Sequence, residues 1–302
     1  MEPRKIFKSG KGSYILTLPK KWVEENNLKD GDYVYVLQSK DSLKIFAKGM
    51  SKKALVDLKN LEFNEIIRRI ISYYLAGFDV LRIKIYSDEQ RTALVLATEM
   101  LIGMEIIEDV GSEIELVIYI EPSKVSFEDV LEKYYRVCIS MFEDFLSVLK
   151  DLKKSLVSSI SFREYEIDRL CFLLLRLAGT RVHHRTFIRI IERIADHINS
   201  MAEALLKLEK MHEELLISFK VLNILKFSLL SFLKSEIKIA EDVLRDAENV
   251  KREIQNVQSL ITKYDKEEIL LLKTIFDGLS RVLAYSCDVA ETTINYVVAE
   301  LM

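Results

Sequence analysis

The chain has 302 residues, 49% of them apolar, and a formal net charge of −3. This length predicts two or three domains. No apolar run reaches the roughly 20 residues of a membrane-spanning helix, and the charged N-terminus lacks the apolar segment of a secretory signal. We therefore expect a cytoplasmic protein that is not embedded in a membrane.

Charge is distributed unevenly along the chain. The residues before Trp22 include six basic side chains and one acid, Glu2. The basic residues are Arg4, Lys5, Lys8, Lys11, Lys20 and Lys21. A basic start on an otherwise acidic chain indicates a polyanionic partner for that end alone.

The positions of cysteine, proline and glycine in the sequence also limit the possible folds. Cys138, Cys171 and Cys287 are far apart and form no CxxC pair, which predicts free thiols in a reducing compartment. All three prolines and seven of the nine glycines precede Ser123. Residues 123–302 are therefore nearly free of helix breakers and are predicted to form long helices.

Residues 3–48 are predicted to form a strand, a short helix and two more strands. Pro19 opens the helix, as the first turn of a helix tolerates. The predicted elements are a strand at 13–18, a helix at 20–26, a strand at 32–37, a turn at 39–42 and a strand at 43–47. A unit this small cannot bury a core alone, so we expect it to dimerise.

The stretch Lys8–Trp22, followed by Leu28–Asp32, resembles the AbrB/SpoVT family of swapped-hairpin DNA-binding domains, and the resemblance covers Arg4–Ala47. It implies a homodimer that lays basic strands and loops on double-stranded DNA. The DNA-binding candidates are Arg4, Lys5, Lys8, Lys11, Lys20 and Lys21. Basic side chains on one face would neutralise phosphates and bind in a salt-sensitive manner. The alternative is a dimerisation module with solvated lysines.

Residues 49–122 are predicted to form a small α/β domain. The expected elements are a helix at 63–76, a strand at 80–86, a helix at 89–102 and a hairpin of 104–107 with 113–120 around Gly111. No phosphate-binding glycine loop is present. The region resembles the segment between the two domains of archaeal PhoU-like proteins, and we expect it to serve in packing or dimer contact.

Six helices are predicted in the remainder of the chain. Their expected ranges are 126–152, 161–177, 185–208, 213–246, 250–262 and 266–301. Three helices followed by three suggest a duplication, with repeats at about 123–212 and 213–302. At an offset of 88 residues the repeats share Arg193/Arg281, Ala202/Ala290 and Glu203/Glu291.

The third of these helices carries an acidic motif. Glu192 and Asp196 lie four residues apart, so their carboxylates can converge on one cation. The run Glu192-Arg-Ile-Ala-Asp-His197, followed by Ala202-Glu203, resembles the signature of the PhoU family of phosphate-signalling regulators. That family consists of two tandem three-helix bundles, which agrees with the predicted duplication.

The PhoU resemblance implies a second acidic pair on the neighbouring helix and a multinuclear metal site between the two helices. Glu164 and Asp168 match this second pair, so the metal candidates are Glu164, Asp168, Glu192 and Asp196. Carboxylate oxygens suit Ca²⁺, Mg²⁺, Mn²⁺ or iron, and a nitrogen of His197 would favour iron or zinc. The alternative is a salt-bridge network with the nearby Arg163, Arg169 and Arg193.

The second repeat departs from this pattern. Ser280 and Ala284 stand where the first repeat has Glu192 and Asp196, and Arg252 and Asn256 match Glu164 and Asp168. We therefore expect no second metal cluster. Glu209 and His212 have the Glu-x-x-His spacing of di-iron bundles, but that chemistry needs two copies and the chain has one.

Together these features predict a multidomain α+β protein: a swapped-hairpin β domain at 1–48, a small α/β domain at 49–122 and an all-α bundle of two three-helix repeats at 123–302. We expect no enzyme, because no catalytic arrangement can be assembled. The expected function is DNA-binding transcriptional regulation of phosphate uptake, with the bundle sensing a metal, a phosphate signal or a transporter partner. The alternative is a regulator that contacts a phosphate transporter or its signalling partner, while the first domain only dimerises.

Overall fold

A computed structural model describes residues 4–10, 12–39, 42–47, 52–120, 125–151 and 155–301. The chain forms two compact units, Met1–Lys52 and Lys53–Met302. The predicted middle and helical domains thus fall within one unit, which contains two separate hydrophobic cores. The division into three domains stays a prediction.

The first unit consists of two antiparallel hairpins with a short helix between them. Its elements are β1 (Ile6–Ser9), β2 (Ser13–Leu16), α1 (Lys20–Glu25), β3 (Val34–Ser39) and β4 (Ser42–Ala47). β1 pairs with β2 and β3 with β4. The sequence did not predict β1, because its adjacent Ile6 and Phe7 show no alternation of apolar and polar residues. Residues 40 and 41 of the predicted turn lie outside the described residues.

The residues of the first unit whose burial is described form no core. None of its residues whose burial is described is buried. Large apolar side chains are exposed on both faces of the β1–β2 hairpin and beyond it: Ile6, Phe7, Tyr14, Ile15, Leu16, Tyr33, Val36 and Leu43. So much exposed apolar surface on so few residues is typical of a surface that another chain covers.

The middle region is a four-stranded sheet with two helices on one face. Its elements are β5 (Lys53–Asp57), α2 (Phe63–Leu75), β6 (Val80–Lys84), α3 (Asp88–Met100), β7 (Met104–Val110) and β8 (Glu113–Ile118). The strand order is β5-β6-β8-β7, with β5 parallel to β6 and the other pairs antiparallel. The sequence missed β5, because its central residue Leu55 is apolar yet exposed and hides the alternation.

The rest of the second unit is a helical bundle, which confirms the predicted fold class. The long helices are α4 (Phe127–Asp151), α5 (Leu156–Ala178), α6 (Val182–Lys207), α7 (Ser218–Lys234), α8 (Ile237–Ser259) and α9 (Lys266–Ala299). Short 3₁₀ turns, Glu213–Ile217 and Leu260–Lys263, precede α7 and follow α8. α6 and α9 make the most extensive helix–helix contact and bring the two repeats together.

The predicted fourth and fifth helices, 213–246 and 250–262, were wrong in their boundaries. Ser235 has φ +53° and ends α7 in the left-handed conformation. The backbone N–H of Glu236 then donates to the carbonyl of Ser231 at 2.9 Å. α8 continues without a break through residues 247–249, where the sequence suggested an end. Glycine or asparagine usually marks such a helix end, and a serine gave no such signal.

Arg176 of α5 fastens the middle region to the bundle. Its Nη1 donates to the carbonyl oxygens of Tyr74 at 2.7 Å and Phe78 at 2.8 Å, both in or just after α2. One turn closer to the start of α5, Phe172 packs against the core of the middle region. The hydroxyl of Tyr165 donates to the carbonyl of Glu99 on α3 at 3.1 Å. One side of α5 therefore faces the α/β layer.

One helical stretch in the described part of the chain, Glu213–Lys234, has the length and composition of a membrane span. It contains the apolar segment at 221–233 that the sequence shows, and most of it is buried inside the bundle. That burial is typical of a core helix in a globular protein. The cysteines are free thiols, with Cys138 and Cys171 buried and Cys287 partly buried.

Candidate functional site

Three carboxylates converge in the groove between α5 and α6. Glu164 and Asp168 come from one face of α5, and Asp196 comes from α6. One oxygen from each lies within 4.8 Å of the other two. The hydroxyl of Ser161 donates to Oδ1 of Asn199 at 2.9 Å and ties the same two helices about one turn away. Packing between consecutive antiparallel helices thus places these acids together.

Glu192, the fourth predicted metal residue, lies beside this group but is not part of it. Its negative charge contributes to the raised pKa of both Asp168 and Glu164, which indicates that it is close by. Glu203, about three turns after Glu192 on α6, also raises the pKa of Glu164. The site is therefore a group of three acids with further acids next to it.

The surroundings of the four acids disfavour the ionised form of their carboxyl groups. Burial and then the charges of Glu164, Asp196 and Glu192 raise the pKa of Asp168 from 3.8 to about 7. Burial is also the first cause of the raised pKa of Glu164, Glu192 and Asp196. Desolvated carboxylates that repel one another are stabilised by a bound cation.

Two of the three arginines that the salt-bridge alternative requires point elsewhere. Arg163 donates to Asp144 of α4 at 2.9 Å, and the guanidinium of Arg169 lies over the ring of Tyr165 at 5.8 Å. Within the described residues, none of the four acids forms an ion pair within 4.0 Å. The salt-bridge alternative therefore lacks direct contacts between arginines and the four acids in the described part of the chain.

Positive charge does reach the site from a distance. The charge of Arg193, one of the arginines that the sequence suggested, offsets part of the rise in the pKa of Glu192. Arg189, which the sequence analysis did not name, lowers the pKa of both Asp168 and Glu192. Its position one turn before Glu192 on α6 was the available signal. These charges offset part of the repulsion without closing the site with a salt bridge.

His197 packs against α9, although it is near enough to Asp196 for the two charges to interact. Its ring stacks on that of Tyr285 of α9, with centroids 5.8 Å apart. Burial and the charge of Arg281 lower the pKa of His197, so the ring is neutral near pH 7. His197 does not join the group of convergent ligands. An all-oxygen donor set fits Mg²⁺, Mn²⁺, Ca²⁺ or iron better than zinc.

The equivalent groove of the second repeat, between α8 and α9, has a different lining. It encloses about 340 Å³ and is lined by Ser280, Ala284 and Cys287 of α9 and by Lys251 and Gln255 of α8, among others. In the described part of the chain the convergent acids form one group, that of the first repeat.

Of the single Glu-x-x-His motif, the histidine lies in the core and the glutamate does not. His212 is buried, with its ring edge-on to Tyr264 at 4.6 Å between centroids. Its Nε2 lies 3.8 Å from Glu268 Oε1. Glu209 is exposed, so the two residues do not form a ligand pair.

The DNA-binding candidates are all exposed where they are described: Arg4, Lys5, Lys8, Lys20 and Lys21. Lys11 lies outside the described residues. Lys20 and Lys21 begin α1 and lie 3.6 Å and 3.8 Å from the carboxylates of Glu24 and Glu25. Such exposed pairs within one helix contribute little and leave the lysines able to contact another anion.

Lys8 stands on β1 opposite Tyr14 of β2. Because side chains alternate along a strand, Lys8 shares its face of the hairpin with Ile6 and Leu16. That face therefore combines one cation with exposed apolar and aromatic groups. Its composition suits either a nucleic-acid backbone or the face of a partner subunit.

The fold defines a protein of two parts, a strand-rich unit whose described residues are not buried and a helical bundle that carries a carboxylate cluster. Two family models match these parts. Residues 7–53 match the model described as "Antidote-toxin recognition MazE, bacterial antitoxin", and residues 131–205 match the PhoU domain. The chain thus combines a MazE/AbrB-like domain at its N-terminus with a PhoU domain over residues 131–205.

A solved structure agrees with this assignment. The bundle is similar to the crystal structure of the phosphate transport system regulatory protein PhoU from Streptococcus pneumoniae, with a TM-score of 0.52 and 18% sequence identity. The similarity covers 58% of this chain and 95% of that chain. At this identity it shows a shared fold. No curated protein matches the chain.

Proposed function

We propose that this protein is a DNA-binding transcriptional regulator of phosphate uptake that works in the cytoplasm as a homodimer. The observation that carries the proposal is the presence of a MazE/AbrB-like domain and a PhoU domain in one chain. The exposed apolar faces of β1 and β2 support dimerisation, because they are large for so small a unit. The families it resembles are regulatory, so we assign it no catalytic role.

In this proposal the DNA contacts are made by Arg4, Lys5, Lys8, Lys11, Lys20 and Lys21. Lysine and arginine neutralise phosphates and release counterions, so affinity should fall with salt by about 0.9 log units per log unit of salt for each contact. The contacts position the dimer on the duplex, and sequence selectivity is then weak.

Titration of duplex DNA over roughly 50 to 200 mM salt tests this function. The double variant Lys20→Ala/Lys21→Ala should bind more weakly and with a shallower salt dependence than the wild type. Lys207→Ala/Lys234→Ala, which removes two lysines from the last turns of bundle helices, is the matched control and should bind like the wild type. No salt-dependent binding by the wild type, or equal loss in both variants, would refute the DNA-binding role.

The sensing site of the proposal is the carboxylate cluster, and its ligand is a hard divalent or trivalent cation. Glu164, Asp168 and Asp196 would hold the cation, and Glu192 would add negative charge beside it. Support comes from the convergence of the oxygens, their raised pKa values and the absence of ion pairs to them among the described residues.

Elemental analysis of the purified protein after incubation with Mn²⁺ or Fe²⁺ and gel filtration tests the cation site. Asp168→Asn/Asp196→Asn should retain far less metal than the wild type. Asp288→Asn/Glu291→Gln changes two acids of the second repeat and should retain the wild-type amount. Equal and negligible metal in all three proteins would eliminate the cation site.

A second candidate function is regulation by contact with a phosphate transporter or its signalling partner, in which the N-terminal domain only dimerises. The solved structure of a phosphate transport system regulatory protein with the same fold favours it. Affinity capture with the full-length chain, and with Lys20→Ala/Lys21→Ala in parallel, distinguishes the two functions. Equal capture of a transport protein by both, without DNA binding by either, would favour this second function.

A further inference from the structure

Strand β5 lies at an open edge of the middle sheet. Among the strands that the structure describes, its one neighbour is β6. Leu55, at the centre of β5, is 84% exposed, and Lys53 and Asp57 are exposed on the same face. Ala54 and Val56 point to the opposite face, where Val56 joins the core beneath the helices.

One hydrogen bond shows which residues of β5 direct their backbone N–H and C=O groups to the open edge. The N–H of Leu58 donates to the carbonyl of Lys84 on β6 at 3.2 Å. Backbone groups alternate in direction along a strand. Ala54 and Val56 therefore direct their N–H and C=O groups towards β6, while Lys53, Leu55 and Asp57 direct theirs away from it, to the open edge.

The sequence of the strand, Lys53-Ala-Leu-Val-Asp57, is complementary to itself in the antiparallel direction. Centred on Leu55, a second copy would set Lys53 opposite Asp57 and Leu55 opposite Leu55. The residues so paired are those whose backbone groups point outwards. We propose that β5 pairs with β5 of a second copy of this chain, in this register, to form a continuous eight-stranded sheet.

Three features act together in this register. The outward N–H and C=O groups of Lys53, Leu55 and Asp57 would complete three antiparallel residue pairs. The exposed Leu55 side chains would cover each other across the two-fold axis. Two Lys53–Asp57 pairs would form directly across the strands, where opposite charges stabilise and like charges destabilise. The two-fold axis passes between the two Leu55 residues and repeats the Lys53–Asp57 pair, as in other symmetric dimers.

The other edge of the sheet, β7, is protected from such pairing. Its register with β8 shifts between Ile106 and Glu108, which marks a bulge. Glu105, Glu108 and Asp109 are exposed acids along this strand, so two copies of β7 would repel each other. A bulge and charges of one sign are common means of protecting an edge strand. β5 has neither.

The connection to the first unit would strengthen the pairing. β4 ends at Ala47 and β5 begins at Lys53, so a dimer held by the first unit would keep two copies of β5 within a short chain length of each other. This contribution rests on the dimerisation that the proposed function includes. The self-complementary register of β5 does not depend on it.

Site-specific cross-linking of the full-length chain tests the register. Paired strands place the two Leu55 Cα atoms about 5.5 Å apart, within the range for a disulfide. The two Lys53 Cα atoms would be about 14 Å apart, because they are offset by four residues along the strands and lie on neighbouring strands. Leu55→Cys should therefore form covalent dimers on mild oxidation and with a short bismaleimide, whereas Lys53→Cys, the matched control, should form several-fold fewer. The wild type reports the background from its native thiols.

A charge reversal in the Leu55→Cys chain supplies the second measurement. Adding Lys53→Glu places like charges opposite each other and should lower the cross-linking yield several-fold, and adding Asp57→Lys as well should restore it. Circular dichroism checks that each variant folds. Equal yields from Leu55→Cys and Lys53→Cys, no Leu55→Cys dimers with either reagent, or no response to charge would overturn the proposal. Molar mass by light scattering shows independently whether the chain is a dimer through its first unit.

Discussion

Arg176 of α5 donates a hydrogen bond from Nη2 to Asp79 Oδ1 at 2.8 Å, although the arginine side chain is only 5% exposed. The same guanidinium lies over the ring of Tyr74, with 5.0 Å from Cζ to the ring centroid. One buried cation therefore satisfies a carboxylate and two carbonyl groups where the α/β layer meets the bundle. α5 contributes this residue and the carboxylates of the candidate metal site from different sides of one helix.

Arg176→Ala should lower the free energy of unfolding by about 2–4 kcal/mol, because buried acceptors lose their charged donor. The carbonyls left without it are those of Tyr74 and Phe78. Urea unfolding followed by circular dichroism measures the change. The control is Arg136→Ala, whose exposed side chain lies 3.5 Å from Glu132 in the same helix and should contribute within about 0.5 kcal/mol. Similar losses in the two variants would contradict the prediction.

The metal-free protein should become less stable as the pH rises. The pKa of Asp168 in the folded chain, about 7, lies above its ordinary value of 3.8. Between these values the folded state retains a proton that the unfolded state releases, so the free energy of unfolding falls with rising pH and then levels off above about 7. Thermal unfolding in the presence of a chelator, from about pH 5 to pH 8, measures this slope.

Asp168→Asn isolates the group responsible for that slope. The amide does not ionise, so the variant should show a shallower decline in melting temperature between the two pH limits. Glu132→Gln, a change of an exposed acid on α4, should keep the wild-type slope. A wild-type melting temperature that rises with pH in the presence of chelator would contradict the assignment.

Gly278 allows the close contact between α6 and α9. A Cβ at this position would lie 2.4 Å from Cγ and 2.8 Å from Sδ of Met201. Gly278→Ala should therefore lower the free energy of unfolding by about 1–3 kcal/mol, even though alanine favours a helix by about 1 kcal/mol over glycine. Met201→Ala frees the space, so the double variant should lose less than the sum of the two single changes. Additive losses would show that the contact is not the cause.

Much of the candidate site could be predicted from local spacing. Glu164 and Asp168, like Glu192 and Asp196, are four residues apart on helices without breakers, and consecutive helices of a bundle pack antiparallel. The sequence could not show that Glu192 lies just outside the group. Nor could it show which arginines face the acids, because that depends on the rotation of each helix about its axis. Arg163 and Arg169 point elsewhere, and Arg189 does face the acids.

The fold was predictable where apolar periodicity was long and failed where it was short or ambiguous. α6 and α9 show a clear helical period and were found within a few residues. β5 was missed because Leu55 is exposed, and the end of α7 was missed because Ser235 adopts a left-handed conformation more usual for glycine. In both cases the surrounding structure overrides a weak local preference.

The two grooves of the bundle are unequal, and this has a consequence for local opening. A cation that joins Glu164 of α5 to Asp196 of α6 would bind the closed form of that groove alone and so lower its opening rate. The groove with Ser280 and Ala284 has no such ligands. Amide hydrogen exchange should therefore slow in α5 and α6 when the cation is added and stay unchanged in α8, so that one half of a nearly symmetric bundle becomes rigid while the other does not.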